Sequence, residues 1–317
     1  MYFFVAQLIA GLVLLYFGGN ALISGASRLA LRMGFSTLIV GLTVVAFGTS
    51  APELFVSLDA VLGGLDDVAV GNVVGSNICN IALIMGLAAV IRPIRINARL
   101  IKLDLPLLIM ASVWLIIILL NDSVSRWEGV LSILGLLAYV AFNVWEANRE
   151  DEPVKEELKM ASPKPGGSLT RDLAFIGLGL VALALGAHWF VSGSVTAANL
   201  VGLSPAVIGL TIIAVGTSLP ELAVTILASR RGQGDIAVGN VIGSNLFNIG
   251  SIMGITSVVH PMARGGIMWA DLGVMLGLTL ILVPMLFLGP RLTRFRGAIL
   301  LACYFGYLAW RLFAVQG

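Results

Sequence analysis

The chain has 317 residues, of which 58% are hydrophobic and only 11% charged, and its formal net charge is +2. A soluble domain carries charges on about a quarter of its residues, so the composition speaks against a water-soluble protein, and so small a net charge leaves no footprint for nucleic acid. The two cysteines, Cys79 and Cys303, both fall in apolar runs, which argues against a disulfide framework.

A helix needs about 20 apolar residues to cross the hydrocarbon core of a bilayer, and the first run, Tyr2 to Ser27, already has that length. No basic residue precedes it and no short apolar core with an adjacent cleavage site is visible, so it reads as a retained first helix rather than a removable signal. Apolar runs between charges, Gly/Pro clusters and polar turns then predict ten spans in chain order, near 3–26, 37–62, 68–91, 103–120, 128–147, 172–198, 204–229, 236–259, 267–288 and 296–314. The expected fold class is an all-α membrane protein. The segment 148–171, rich in Glu, Asp, Lys, Pro and Gly and without hydrophobic periodicity, reads as a cytoplasmic linker between a first half (1–147) and a second half (172–317) of five helices each.

Lysine and arginine mark cytoplasmic loops. With the N-terminus outside, 16 of the 19 basic residues fall on the cytoplasmic side, leaving Arg126, Arg264 and Arg311 outside. An N-out, C-out topology is expected.

Displaced by 168 residues, the chain matches itself: Gly41–Gly86 aligns with Gly209–Gly254 without a gap, and 27 of 46 paired positions are identical. The first copy contains GLTVVAFGTSAPEL and AVGNVVGSNICNI, the second GLTIIAVGTSLPEL and AVGNVIGSNLFNI. Five helices separate equivalent points, so the copies cross the membrane in opposite directions, the inverted-repeat plan of secondary transporters. Gly48 and Pro52 interrupt the second span, Gly216 and Pro220 the seventh, because proline removes a helical donor and frees upstream carbonyls.

Within these breaks stand Glu53 and Glu221, about halfway along their spans, where a carboxylate is costly unless it faces a cavity or a partner. Oxygen-bearing neighbours surround them: Thr49 and Ser50 in one break, Thr217 and Ser218 in the other. Ser76, Asn77 and Asn80 lie on the third span and Ser244, Asn245 and Asn248 on the eighth. A hard divalent cation takes about 6–8 oxygen ligands, and this set can supply them, whereas no Cys/His grouping favours a soft metal. Two close carboxylates repel each other when bare, so protons or Na+ compete with the divalent ion, and competition at one site is the physical basis of exchange.

The bland readings weigh differently from residue to residue. A lone membrane glutamate is often a structural hydrogen-bonding residue, but two in register within Gly/Pro breaks are not. Asn77 and Asn245 divide evenly between bridging helices and binding the ion. Asp59, whose counterpart is Leu227, reads as a vestibule or structural residue. Asp104 and Asp271, near span ends beside Lys102 and Trp269, read as interfacial anchors.

At these motifs the chain resembles the Ca2+/cation antiporter superfamily, in its prokaryotic sodium/calcium exchanger branch. The paired GTSxPE and GN(V/I)xGSNxxN segments are similar to that family's two alpha-repeats. The resemblance implies that Glu53 and Glu221 are the main Ca2+ ligands and that the carbonyls of Thr49 and Thr217 join them. It also implies that Ala46, Ser50, Ser76, Ala214, Ser218 and Ser244 line adjacent Na+ sites. Helices 1 and 6, around Gly18–Gly19 and Gly186, would slide across a rigid core. Many members carry Asp where this chain has Asn248, which leaves two carboxylates rather than three and opens both the stoichiometry and the choice of Na+ or H+ as coupling ion. The expected function is exchange of Ca2+ for Na+, with the ions and the lipid bilayer as partners and neither a cofactor nor an obligate protein partner implied. The rivals are a Ca2+/H+ or other cation/H+ exchanger, a passive channel and, remotely, an intramembrane acid–base enzyme. Broken helices in inverted repeats favour alternating access over a pore, and no nucleophile arrangement favours the enzyme.

Overall fold

The computed structural model describes residues 2–149, 168–200, 214–287, 289 and 291–316. The centre of the expected linker (150–167), the start of the seventh span (204–213) with the first residues of the second alpha-repeat, and the side chain of Ala214 lie outside the described residues.

Helix α1 (Tyr2–Met33) is followed by a span in pieces: α2 (Thr37–Val40), a π-helical stretch Gly41–Val45, α3 (Ala46–Thr49) and α4 (Ala51–Leu62). Next come α5 (Asp66–Ile78), which continues through a π-helical stretch Cys79–Met85 into α6 (Gly86–Ile91), then α7 (Leu105–Ile118) and α8 (Arg126–Arg149). The second half has α9 (Leu169–Leu200), α10 (Ala214–Thr217), α11 (Leu219–Arg230), α12 (Gly234–Phe247) with the π-helical stretch Asn248–Met253 and α13 (Gly254–Val259), then α14 (Trp269–Phe287) and α15 (Arg294–Gln316). Among the described residues, seven helices are long and apolar enough to cross a membrane, and the bent pair Thr37–Thr49 and Ala51–Leu62 makes an eighth. The protein is therefore a multi-pass helical membrane protein.

Turn chemistry fixes the hairpins that bring the duplicated spans together. Gly64 (φ 74°) and Gly232 (φ 77°) stop α4 and α11 in the left-handed conformation that glycine adopts without a Cβ penalty. The following amides, Leu65 N–H and Gln233 N–H, reach back to the carbonyls of Ala60 (2.8 Å) and Ala228 (2.9 Å). Two short antiparallel ladders, not readable from the apolar pattern, join loops of the two halves: Ile94–Arg95 with Arg291–Leu292, and Ser123–Val124 with Met262–Ala263.

These pairings are reciprocal under the 168-residue displacement. Ile94 faces Leu292 and Met262 faces Val124; Gly86 packs on the backbone of Gly297, and Gly254 on that of Gly129. A contact that recurs with its partners exchanged is what an approximate twofold relation between two copies produces.

Helices α1 and α9 form an antiparallel pair with glycine-lined contact. Gly11 meets the backbone of Gly186, Gly18 that of Gly179, Gly25 that of Asp172, and Gly193 that of Phe4, so that a Cβ at Gly18 would lie 2.9 Å from the Gly179 carbonyl oxygen. Small residues let helix backbones approach this closely in a membrane, where packing rather than the hydrophobic effect drives association. At one end Asp172, fully buried, pairs with Arg28 (2.6 Å) and Arg32 (3.0 Å). The apolar interior divides accordingly: one cluster fills the space around α5, α7, α12 and α14, and a second joins α1 and α9 to Val40, Val45, Val224 and Ile236.

Asp104 and Asp271 are not interfacial anchors. Both are buried, and each accepts a hydrogen bond from a tyrosine on the last helix of its own half, Tyr139 (3.0 Å) and Tyr307 (2.9 Å), fastening α8 and α15 to the bundle.

Candidate ion-binding site

Each broken span stops at a serine. Ser50 (φ −83°, ψ 0°) separates α3 from α4, and Ser218 (φ −86°, ψ 12°) separates α10 from α11; proline occupies the first turn of each following helix. Because Pro52 and Pro220 have no N–H, the carbonyls of Gly48 and Gly216 lose their helical donor. In the first span the axes on either side of the break differ by 40°. Glu53 and Glu221 fall in the first turn of α4 and α11, where the partial positive charge of a helix N-terminus favours a carboxylate.

Both glutamates are buried, and each accepts a hydrogen bond from the serine of the opposite break: Ser218 Oγ donates to Glu53 Oε1 (3.3 Å), and Ser50 Oγ to Glu221 Oε1 (3.1 Å). Ser244 Oγ also lies 3.5 Å from Glu221 Oε1. The two breaks therefore face each other, and among the described residues neither carboxylate forms an ion pair with an arginine or lysine.

Two asparagines that the sequence reading passed over fix this arrangement. Asn72 donates to the backbone carbonyl of Glu53 (3.1 Å) and to Ser57 Oγ (2.9 Å), and its Oδ1 lies 3.4 Å from Thr217 Oγ1. Asn240 repeats the pattern: it donates to the carbonyl of Glu221 (3.3 Å) and to Thr225 Oγ1 (3.0 Å), and accepts from Thr49 Oγ1 (3.0 Å). Each amide thus ties the glutamate turn of its own copy to the threonine of the other.

The GSNxxN segments meet on the facing surfaces of the third and eighth spans. Asn80 Nδ2 donates to Asn245 Oδ1 (2.9 Å), and Asn248 Nδ2 to Asn77 Oδ1 (3.0 Å). Asn80 lies within one π-helical stretch and Asn248 opens another, the kind of local widening that recurs at functional sites. Asn77 and Asn245, evenly balanced in the sequence, therefore bridge the two copies.

Five buried oxygen atoms of this cluster have no protein hydrogen-bond partner: Glu53 Oε2, Glu221 Oε2, Asn80 Oδ1, Asn248 Oδ1 and Ser76 Oγ. All five can accept, which is the chemistry that a cation asks of its ligands. Of the remaining expected site residues, Ala46 is buried and its carbonyl takes Ser50 N–H (3.0 Å) and Thr49 Oγ1 (3.3 Å). Ala214 opens α10. Among the described residues no three His, Cys, Asp or Glu side chains gather as a metal ligand group, so the cluster is a set of hard oxygen donors with two carboxylates.

Facing helix breaks around buried carboxylate and amide oxygens, inside a bundle of apolar helices, define a membrane transporter of cations. The family model described as sodium/calcium exchanger protein matches residues 3–145 and 172–313, and the chain belongs to that family of cation antiporters. It is 39% identical to the putative antiporter CaxA of Alkalimonas amylolytica over 94% of this chain and 95% of that one. To the inner membrane protein YrbG of Escherichia coli it is 38% identical, over 81% and 80% of the two chains. The solved structure of the sodium-calcium exchanger NCX_Mj soaked with 10 mM Na+ and zero Ca2+ superposes with a TM-score of 0.82 at 32% identity, covering 97% of this chain and 98% of that one.

Proposed function

We propose that the protein exchanges Ca2+ for Na+ across a prokaryotic inner membrane by alternating access, through one ion-binding region at the bilayer midplane between two inverted five-helix repeats. The observation that carries the reading is the set of five buried, unpartnered oxygens contributed by both copies. Glu53 and Glu221 match a divalent ion in charge. Asn80, Asn248 and Ser76, with the carbonyls of Thr49 and Thr217, complete a shell of hard oxygens, while Ser50, Ser218, Ser244, Ala46 and Ala214 border it where Na+ binds in exchange.

Inversion is supported by the outer pair. The 168-residue displacement carries Gly11, Gly18 and Gly25 onto Gly179, Gly186 and Gly193, and the helices bearing them run antiparallel in contact. Alternating access is supported by how that pair touches the core. Within the pair, backbone meets backbone at under 3 Å from a glycine Cβ; against the broken spans the nearest atoms to glycine belong to side chains, Leu180 on Gly48, Val191 on Gly216 and Leu227 on Gly19. A pair locked to itself through its backbones, and resting on the broken spans through apolar side chains, can move as a unit, exposing the site to one side and then the other.

Proteoliposomes loaded with Na+ or K+ test the reading by 45Ca2+ uptake. Uptake that needs internal Na+, and that falls at least about a hundredfold in Glu53→Gln and Glu221→Gln because a charged ligand is lost, is the expected result. Uptake indifferent to Na+ but driven by a pH gradient would retain the site and replace the coupling ion with H+.

A further inference from the structure

A side-chain amide is a cation ligand at one end and a cation repellent at the other. Asn80 and Asn248 serve the site only if their Oδ1 atoms face it, and turning either amide by half a revolution would put an NH2 group there. Something must hold them, because in a buried, dry setting the wrong face opposes the ion instead of merely failing to bind it.

We propose that Asn245 and Asn77 are positioning residues that set which atom Asn80 and Asn248 present to the cation; the inference rests on reading the cluster as a cation site. The orientation is set outward from groups with no choice of role. The main-chain carbonyl of Asn77 can only accept, and Asn245 Nδ2 lies 3.5 Å from it. Asn245 must therefore direct Oδ1 the other way, towards Asn80, which answers with Nδ2 at 2.9 Å. The remaining atom of Asn80, Oδ1, is the buried oxygen without a protein partner.

A second chain orients Asn248. The thioether of Met275 can only accept, and weakly; Asn77 Nδ2 lies 3.9 Å from Met275 Sδ. Asn77 Oδ1 then accepts from Asn248 Nδ2 at 3.0 Å, which leaves Asn248 Oδ1 unpartnered. The Oδ1 of Asn77 and that of Asn245 each accept from the other copy, and neither is among the buried oxygens left unpartnered, so both orient the oxygens that are. The two chains are anchored unequally. A peptide carbonyl ends one and a thioether the other, so here the two copies are not interchangeable.

An aspartate at the ligand position has oxygen at both ends and no wrong face, and this yields a discriminating experiment. Ca2+ binding to the purified full-length protein in detergent is measured by titration calorimetry for four forms: native, Asn245→Ala, Asn80→Asp and the double variant. Loss of an oriented ion–dipole contact weakens Ca2+ binding about tenfold in Asn245→Ala. In the Asn80→Asp background the same substitution changes affinity less than about twofold, because a carboxylate needs no orienting partner. Equal weakening in both backgrounds would make Asn245 a structural residue and overturn the inference. Should Asn245→Ala fail to fold, Met275→Leu, a volume-conserving core exchange, tests the second chain against Asn248→Asp in the same way. Native protein that binds no Ca2+ would instead overturn the reading of the site.

Discussion

The centre and the flank of this molecule are built on opposite principles. At the centre, the broken spans and the third and eighth spans are joined across the two copies by side-chain hydrogen bonds, most of them repeated with their partners exchanged: Ser50 to Glu221 and Ser218 to Glu53, Thr49 to Asn240 and Thr217 to Asn72. At the flank, α1 and α9 hold each other through glycine backbone contact and the Asp172 ion pairs. Polar ties from α1 to the core are few and lie at one end, from Arg231 to Asn20 and Ser24 and from Gln233 to Ser27. Directional bonds fix the positions of the buried oxygens; close backbone packing holds one helix firmly along another.

Breaking the centre has the larger effect. Asn72→Ala removes the donor to the Glu53 carbonyl and the acceptor for Thr217 together, and the half-saturating Ca2+ concentration rises about tenfold, measured as Na+-driven 45Ca2+ uptake. Breaking the flank leaves affinity alone and costs stability. Gly18→Leu forces a side chain between the helices where a Cβ already sits 2.9 Å from a carbonyl, a loss of about 1–3 kcal/mol typical of overpacking. It is read as a lower melting temperature in detergent with unchanged Ca2+ affinity in the folded fraction. Gly177→Leu, at a position where a Cβ meets nothing within 4 Å, melts like the native protein.

The centre was also the more legible region. Duplication made Glu53, Glu221, Thr49, Thr217 and the GSNxxN segments stand out, because a residue that recurs at a displacement of 168 within a helix break has a shared task. Asn72 and Asn240 carried the same signal, each 19 residues after its glutamate, and were passed over because a helical asparagine reads as packing until its partners are known. Asp104 and Asp271 were read as interfacial from position along the span; the tyrosines that bury them are 35 and 36 residues away on another helix, beyond any local pattern. The bridging role of Asn77 and Asn245 was undecidable in the sequence for the same reason, as their partners belong to the other copy. The two-residue ladders are too short for any periodicity to register.

If Na+ and Ca2+ compete for one set of oxygens built from both copies, equilibrium 45Ca2+ binding to the purified protein at a series of Na+ concentrations will reveal it. Rising Na+ is expected to shift half-saturation to higher Ca2+ while capacity stays constant, and Glu53→Gln and Glu221→Gln are each expected to abolish the Na+-sensitive binding. Ca2+ binding with the same affinity at every Na+ concentration would rule out competition at a shared site.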